Sequence, residues 1–529
     1  MKLMPDRPIR GLLRGADIRS DLALSCEVCV VGSGPGGSVV AARLADRGVD
    51  VILLEEGGYH VRTEFDQQEA TAFPALYQEH GNRATDDLSI AILQGRGVGG
   101  GTLVNWTTSF RTPETTLEHW RREFGLAEMT TANLNPHWEE IEKRLNIHEV
   151  TLDEVNENNR VLWDGGRKLG IGVELLKRNV ESCLQTGSCG LGCPSNAKRS
   201  MFLTYLPDAA EKGARVLANC RVSRLVKSAA GDRSRIATAE AEVLDESTDR
   251  PTGRRVVVTA KHFVVAGGAI NSAALLLRSQ LPDPHERLGK RLFLHPVVAT
   301  TATFARRIDP FYGAPQSVAS HHFIERPGRV GFFLEAPPLR PMLAAIALSG
   351  FGGDHREGMT RLSHTNALIA LHRDGFLPDD EGGTVRVKGD GGRRLSIGYP
   401  LSPALFEAMR ESMKAMARIQ FAAGATEVQT GHLPRLALKS EREISRIDDA
   451  PLGPNRIGLF TAHQMGGCAA GSDPKRSVVS GELVHHQVEN LRVIDGSVFP
   501  TSLGVNPQES VMGLASWAAQ KLLHAFRGA

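Results

Sequence analysis

The stretch Cys26 to Gly58, CEVCVVGSGPGGSVVAARLADRGVDVILLEEGG, constrains what this chain can fold into more than any other. A short apolar run, Val28 to Val31, reads as a buried strand. It turns through Gly32-x-Gly34-x-x-Gly37 into an Ala/Leu/Val-rich helical pattern, and a second apolar run, Val51 to Leu54, ends in Glu55 and Glu56. Gly32 permits the tight strand-to-helix turn, Gly34 lets backbone approach a pyrophosphate, and Gly37 lets helix pack closely on strand. The helix N-terminus aims free N–H groups and its positive dipole end at the phosphates. Glu55, about 20 residues further on, is placed to accept hydrogen bonds from a ribose hydroxyl. With strand, helix, second strand and acid in register, the pattern predicts a site for an ADP-containing cofactor.

A chain of 529 residues allows two to four lobes. With 41% hydrophobic and 23% charged residues it reads as an ordinary globular protein. A net charge of +2 without a basic run gives no reason to expect nucleic acid. No apolar run reaches the ~18 residues of a membrane span. The N-terminal segment lacks the apolar core and cleavage site of a signal peptide, so a cytoplasmic location is expected. Seven cysteines in this length do not make a disulfide scaffold.

A second unusual stretch is Ala91 to Arg111, AILQGRGVGGGTLVNWTTSFR, with five glycines between Gly95 and Gly101. That many glycines cost backbone entropy, so a partner must need the backbone close or in unusual dihedrals. Here the sequence resembles the glucose–methanol–choline (GMC) flavoprotein oxidoreductases, whose first signature is matched by Gly95, Arg96, Gly99, Gly100, Thr102 and Asn105. The resemblance implies that this segment lies along the pyrophosphate and isoalloxazine of FAD. Gln94 stands where some members attach flavin through a histidine, which implies non-covalent FAD. It also implies an adenine contact from Val222, in the alternating strand Cys220 to Val226, and a second pyrophosphate contact from Asp495-Gly496. The run His262 to Leu277 reads as a strand entering Gly267-Gly268 and a helix capped near Asn271 or Ser272. It resembles the second GMC signature, with Ala273 and Gln280 in place of the usual Pro and Gly. NAD in place of FAD is the other reading of the first motif, and Gly95 to Asn105 argues against it.

Oxidising an alcohol with flavin needs a base of near-neutral pKa and a second polar group to orient the oxygen. By residue type His463 is the natural base and Asn506, before Pro507, its partner. The resemblance implies the same pair, through His463-x-x-Gly466-Gly467-Cys468 and Gly504-Val505-Asn506-Pro507. These are similar to the cholesterol oxidase and long-chain alcohol oxidase side of the family. Glu335-Ala-Pro-Pro-Leu looks like a segment carrying an active-site glutamate there, which implies that Glu335 shares the proton work. A surface glutamate ahead of a turn is the other reading.

Between these motifs, Glu114 to Phe124, Pro136 to Leu145 and Glu157 to Leu169 read as helices, the start of a helical cap over 113–199. Cys183-x5-Cys189-x3-Cys193 either holds a metal or iron–sulfur cluster or consists of buried thiols in a Gly-rich turn. Strand-like segments at Val297 to Phe304, Ser320 to Ile324, Thr384 to Lys388 and Arg394 to Tyr399 precede a helix from Pro403 to Ala422. Pro337 to Phe351 is a lid, a pocket wall, a membrane-touching patch or a buried helix.

The expected fold is α/β: a discontinuous Rossmann-like FAD-binding domain (22–294 and 456–529) and an α+β substrate domain (295–455) built on an antiparallel sheet. The expected activity is FAD-dependent oxidation of a bulky apolar alcohol by hydride transfer to flavin N5. The partners are that small-molecule alcohol and oxygen or another acceptor, with possible peripheral membrane contact. A non-redox GMC flavoprotein (lyase or photodecarboxylase) and a sugar dehydrogenase subunit with an iron–sulfur cluster are the alternatives.

Overall fold

The computed structural model describes residues 3–228, 234–389, 392 and 394–527. Strand Leu22–Val31 runs into helix Pro35–Ala45, and strand Val51–Leu54 returns parallel beside it, as the first motif predicts. Gly34 is the helix N-cap and Pro35 its first residue, where a fixed φ and missing N–H are tolerated. The helix packs against the C-terminal helix Gln508–Arg527, so the two ends of the chain share one core.

Among the described residues the first sheet has seven strands, in the order Arg215–Leu217, Val51–Leu54, Leu22–Val31, Pro251–Val265, Ile236–Leu244 and Cys220–Lys227, with Leu491–Val493 beside Pro251–Val265. Strand Pro251–Val265 is the pivot. It lies parallel to Leu22–Val31, its first part pairs antiparallel with Ile236–Leu244, and Phe263 to Val265 pair parallel with Leu491–Val493. That last pairing carries Asp495 to the carboxyl edge of the parallel strands, where ligands bind in open α/β sheets.

The second sheet is largely antiparallel, in the order Leu436–Leu438, Glu427–Thr430, Val297–Thr303, Thr365–Arg373, Gly331–Glu335, Val318–Ser320 and Glu174–Leu175. Leu459–Thr461 joins Val297–Thr303 at one point and runs parallel to Ile90–Ile92. Helix Pro403–Ala422 packs against it through buried Met409, Met413, Met416 and Ile419. Three of these strands, at 90–92, 174–175 and 459–461, come from outside 295–455 and stitch this sheet to the first lobe. A three-stranded sheet joins Lys290–Leu292, Gly383–Lys388 and Arg394–Gly398.

Several expected boundaries move. The second cap helix is Thr131–Leu145, because the Thr130 side chain caps it by accepting from Asn133 N–H at 3.1 Å, which puts Pro136 inside the helix. Helix Ala269–Arg278 starts on Gly268 rather than near Asn271 or Ser272. The Ser272 hydroxyl turns back instead, accepting Gly267 N–H at 2.9 Å and donating to Asp495 at 2.5 Å. The strand expected at Ser320 to Ile324 is Val318–Ser320, after which Ile324 N–H closes a turn on the His321 carbonyl. The cap is helical only to Lys168, and short strands and turns follow. In Pro337 to Phe351 the helix Pro341–Ala347 buries only Ala344, while Ile346 and Phe351 are 75% and 94% exposed, so it is no buried helix. Among the described residues no helix is long and apolar enough to cross a membrane.

Candidate active site

The carboxyl edge of the first sheet opens into a deep cavity that continues to the face of the second sheet. At its near end the two glycine-rich segments cradle each other. A Cβ on Gly37 would meet the Gly32 carbonyl oxygen at 2.0 Å, and one on Gly100 would meet Gly34 Cα at 2.6 Å. Gly100 also holds φ +55°, in the left-handed region. Gly32, Gly34 and Gly100 line the cavity; Gly37 and Gly99 pack behind it.

Glu55 is buried at the end of its strand and accepts from Ser33 N–H at 2.9 Å, Ser33 O–H at 2.7 Å and Gly57 N–H at 2.8 Å. Burial raises its pKa above the usual carboxylate range, against those three donors. Asp495 is similar: it accepts from Gly268 N–H, Ser497 N–H and the Ser272 hydroxyl, and burial again raises it. Val222 and Gly496 line the same cavity. The Arg96 guanidinium is bound to Glu56 at 3.2 Å and Asp249 at 2.7 Å, leaving its flank along the wall. Thr102 closes its own turn by donating to the Gly99 carbonyl at 2.7 Å. Asn105 donates to Gln508 at 2.6 Å.

Sequence reasoning missed Lys198, a buried ammonium that donates to the Leu103, Asn105 and Cys189 carbonyls at 2.6, 3.1 and 2.7 Å. It ties the second glycine segment to the cysteine turn, and burial pulls its pKa down to about 8. Cys183, Cys189 and Cys193 lie off the main cavity, around a separate void of about 10 Å³, room for one water at most. Burial pushes the Cys189 thiol up to about 11. Among the described residues no group of three or more His, Cys, Asp or Glu is placed to hold a metal ion.

At the far end, three chemically active side chains from separate segments converge. His463 follows strand Leu459–Thr461, Glu335 ends strand Gly331–Glu335, and Asn506 precedes helix Gln508–Arg527. Asn506 Nδ2 lies 3.5 Å from His463 Nε2 and donates to Glu335 Oε2 at 3.4 Å. Gln316 Nε2 donates to the same Glu335 oxygen at 2.7 Å, and Thr108 donates to Gln316 at 2.6 Å. Glu335 is fully buried, which pushes its carboxyl up to about 8 against the Asn506 and Gln316 donors; it is not the surface glutamate that the sequence left open. Burial pulls His463 down to about 4, so its imidazole is neutral at pH 7. Val297, Ile369, Leu371 and Phe460 make the wall here apolar.

Behind His463 stands His295, which sequence reasoning passed over among 18 histidines. Its Nδ1 is 3.2 Å from His463 Nδ1, and its Nε2 accepts from Gly504 N–H at 3.0 Å. Asp374 accepts from the N–H groups of Leu294 and His295, and the Tyr399 hydroxyl donates to Asp374. His295 has φ +43°, a strained dihedral for a non-glycine residue, held by this surround. A strained, wholly buried histidine ahead of Pro296 carries no periodic signal in the sequence.

Two family models described as GMC oxidoreductase, an N-terminal and a C-terminal one, match residues 73–297 and 378–515. The chain belongs to the GMC oxidoreductase family. A model of an NAD(P)-binding Rossmann-like domain matches residues 30–71. An uncharacterized GMC-type oxidoreductase of Mycobacterium tuberculosis is 32% identical over 495 residues, covering 92% of this chain and 74% of that one. A long-chain-alcohol oxidase of Arabidopsis thaliana is 30% identical over 533 residues, covering 96% of this chain and 69% of that one. In fold, the chain is similar to pyridoxine 4-oxidase from Mesorbium loti, with a TM-score of 0.70 at 20% identity and coverage of 94% and 99%. It is also similar to formate oxidase of Aspergillus oryzae, with a TM-score of 0.71 at 16% identity and coverage of 96% and 100%.

The cofactor of a GMC oxidoreductase is FAD, and the residues of this chain fit it. The glycine cradle leaves backbone bare at the near end. Three buried oxygens along the cavity, Asn105 Oδ1, Asn506 Oδ1 and Glu335 Oε1, have no partner in the protein. Buried polar atoms are rarely left so, and their position marks where a polar ligand is received.

Proposed function

We propose that this GMC oxidoreductase oxidises a bulky, apolar alcohol to an aldehyde or ketone. One observation carries the reading: His463, Asn506 and Glu335 meet at the end of the cavity that begins at the dinucleotide turn, against an apolar wall. FAD, when bound, supplies the acceptor for the hydride from the carbinol carbon. Gly32, Gly34, Glu55, Arg96, Gly100, Thr102, Asn105, Val222, Asp495 and Gly496 hold it, with Gly37 and Gly99 shaping that site from behind. Residues 22–294 and 456–529 form the cofactor lobe, and 295–455 chooses the alcohol.

Asn506 orients the hydroxyl. His463, kept neutral by burial, and Glu335 share the work on the hydroxyl proton. The partners are then the alcohol and oxygen or another electron acceptor, in the cytoplasm. The exposed Ile346 and Phe351 are the surface that a lipid bilayer would meet.

The test is anaerobic bleaching of the yellow protein by a panel of apolar alcohols. Wild type is expected to bleach; His463→Ala is expected to stay yellow and bleach ~10²–10⁴-fold more slowly. Alcohols that bleach both proteins alike would remove His463 from the chemistry. Failure of every alcohol would favour a non-redox use of the scaffold.

A further inference from the structure

The contact between His295 and His463 fixes where the protons lie, given the alcohol-oxidation reading above. A peptide N–H can only donate, so Gly504 N–H at 3.0 Å requires an unprotonated Nε2 on His295. Neutral His295 therefore carries its proton on Nδ1. That nitrogen faces His463 Nδ1 at 3.2 Å, so His295 donates and His463 accepts. The proton of neutral His463 is then on Nε2, which points into the cavity. Turning either ring over would put carbon where nitrogen now bonds. Burial holds both rings neutral, and Arg373 and His372 beside His295 add to that. The Phe333 ring, steeply inclined to His295 with the two ring centres 5.6 Å apart, and Asp374 below its backbone keep the ring in place.

His463 Nε2–H and Asn506 Nδ2–H are thus two donors 3.5 Å apart, too far to bond and facing one spot. An alcohol oxygen, with two lone pairs, accepts from both. Of the unpartnered oxygens here, Asn506 Oδ1 is an amide oxygen too weakly basic to take a proton, whereas Glu335 Oε1 belongs to a carboxyl that can. We propose that His295 is a positioning residue that locks His463 in its Nε2–H tautomer, so that His463 and Asn506 donate to the alcohol oxygen while the hydroxyl proton leaves to Glu335. The O–H bond breaks and a Glu335 O–H bond forms. FAD, when bound, would supply the two-electron acceptor for the C–H pair as hydride, which leaves a carbonyl.

The test uses the FAD-loaded full chain with ¹⁵N-labelled histidine. The two-bond correlation signal that disappears in His463→Asn is expected to show protonated Nε2 and bare Nδ1 in wild type. In His295→Phe the same signal becomes a mixture of tautomers, and alcohol bleaching slows by ~10²-fold with little change in KM. His295→Gln, which keeps one donor and one acceptor, is expected to retain the Nε2–H form. A wild-type His463 protonated on Nδ1, or an unchanged tautomer in His295→Phe, would overturn the proposal. If His295→Phe does not fold, the wild-type spectrum still decides. The wrong tautomer in a chain that bleaches sinks this inference alone; the right tautomer in a chain that no alcohol bleaches sinks the oxidation reading instead.

Discussion

Glu55 and Glu335 sit at opposite ends of one cavity, both buried, both with the carboxyl pushed up by burial. Their surroundings differ in a way that suits one to binding and the other to chemistry. Glu55 receives three close donors from Ser33 and Gly57, two of them backbone N–H groups that cannot move away. Glu335 receives two side-chain amides, from Gln316 and Asn506, and keeps one oxygen without a partner. A carboxyl held by backbone donors is fixed in place, which suits holding a hydroxyl. One with an open oxygen and a pKa near 8 can change its protonation within a reaction.

The largest effect should come from breaking the binding end. In Gly37→Val the new Cβ would fall 2.0 Å from the Gly32 carbonyl oxygen, and neither backbone segment can give way. We expect no yellow soluble protein, read from flavin absorbance and circular dichroism. A variant that folds and holds flavin would show that the cradle tolerates what its geometry forbids.

Next in size is Glu335→Gln, which should leave flavin bound and slow anaerobic bleaching by ~10²–10⁴-fold. Stability should move the other way. The folded pKa of Glu335 lies above the 4.5 of a free glutamate, so its contribution is fully present below about pH 4.5 and lost as pH rises through about 8. The amide carries no charge to bury, so the variant should gain on wild type between those pH values. A tenfold change in proton affinity corresponds to ~1.4 kcal/mol, so the gain reaches a few kcal/mol. Thermal melts across that range check it; parallel melting curves would mean that Glu335 ionises freely.

The contrast also explains what the sequence made legible. Around Glu55 the partners lie within one βαβ unit, and backbone geometry demands glycine at set spacings, so residue identity reveals structure. His463 and Asn506 were found because they sit in short motifs beside glycines. Nothing local announces Gln316, His295 or Lys198: Gln316 meets Glu335 only once their two strands pair, Lys198 ties the glycine segment to the cysteine turn, and His295 meets His463 only where the strand at 459–461 joins the lobes. The strands at 90–92, 174–175 and 459–461 that do the joining are two or three residues long, too short for periodicity to mark. Helix starts failed for a related reason: Thr130 and Gly268 act as caps through geometry that Pro136 and Ser272 seemed to offer.

A smaller effect is expected from Glu55→Gln. Its carboxylate is charge-assisted in each of its bonds, and such bonds contribute ~1.5–3 kcal/mol. Flavin affinity should fall by ~10–100-fold, measured by release on dilution, while bleaching at saturating FAD stays near wild type. A loss of bleaching rate with affinity intact would reverse the roles assigned to the two ends.

The smallest change tests the chemical end alone. Gln316 Nε2, 2.7 Å from Glu335 Oε2, stabilises the ionised carboxylate, as does Asn506. Gln316→Leu removes that donor, so the Glu335 pKa must rise. Where Glu335 accepts the proton, bleaching in wild type climbs with pH to a plateau above about 8. The midpoint in Gln316→Leu should move to a pH higher by ~1, because a hydrogen bond to a charged group contributes ~1.5–3 kcal/mol and part of that is recovered by rearrangement. The plateau should stay within a few-fold, since the variant alters how readily the base ionises and not where it stands. If His463 were the sole base, burial would leave it unprotonated far below pH 7, and neither profile would bend near 8. A midpoint that stays put in Gln316→Leu while the plateau collapses would assign Gln316 a part in holding the alcohol, and would leave Glu335 without the role its open oxygen suggests.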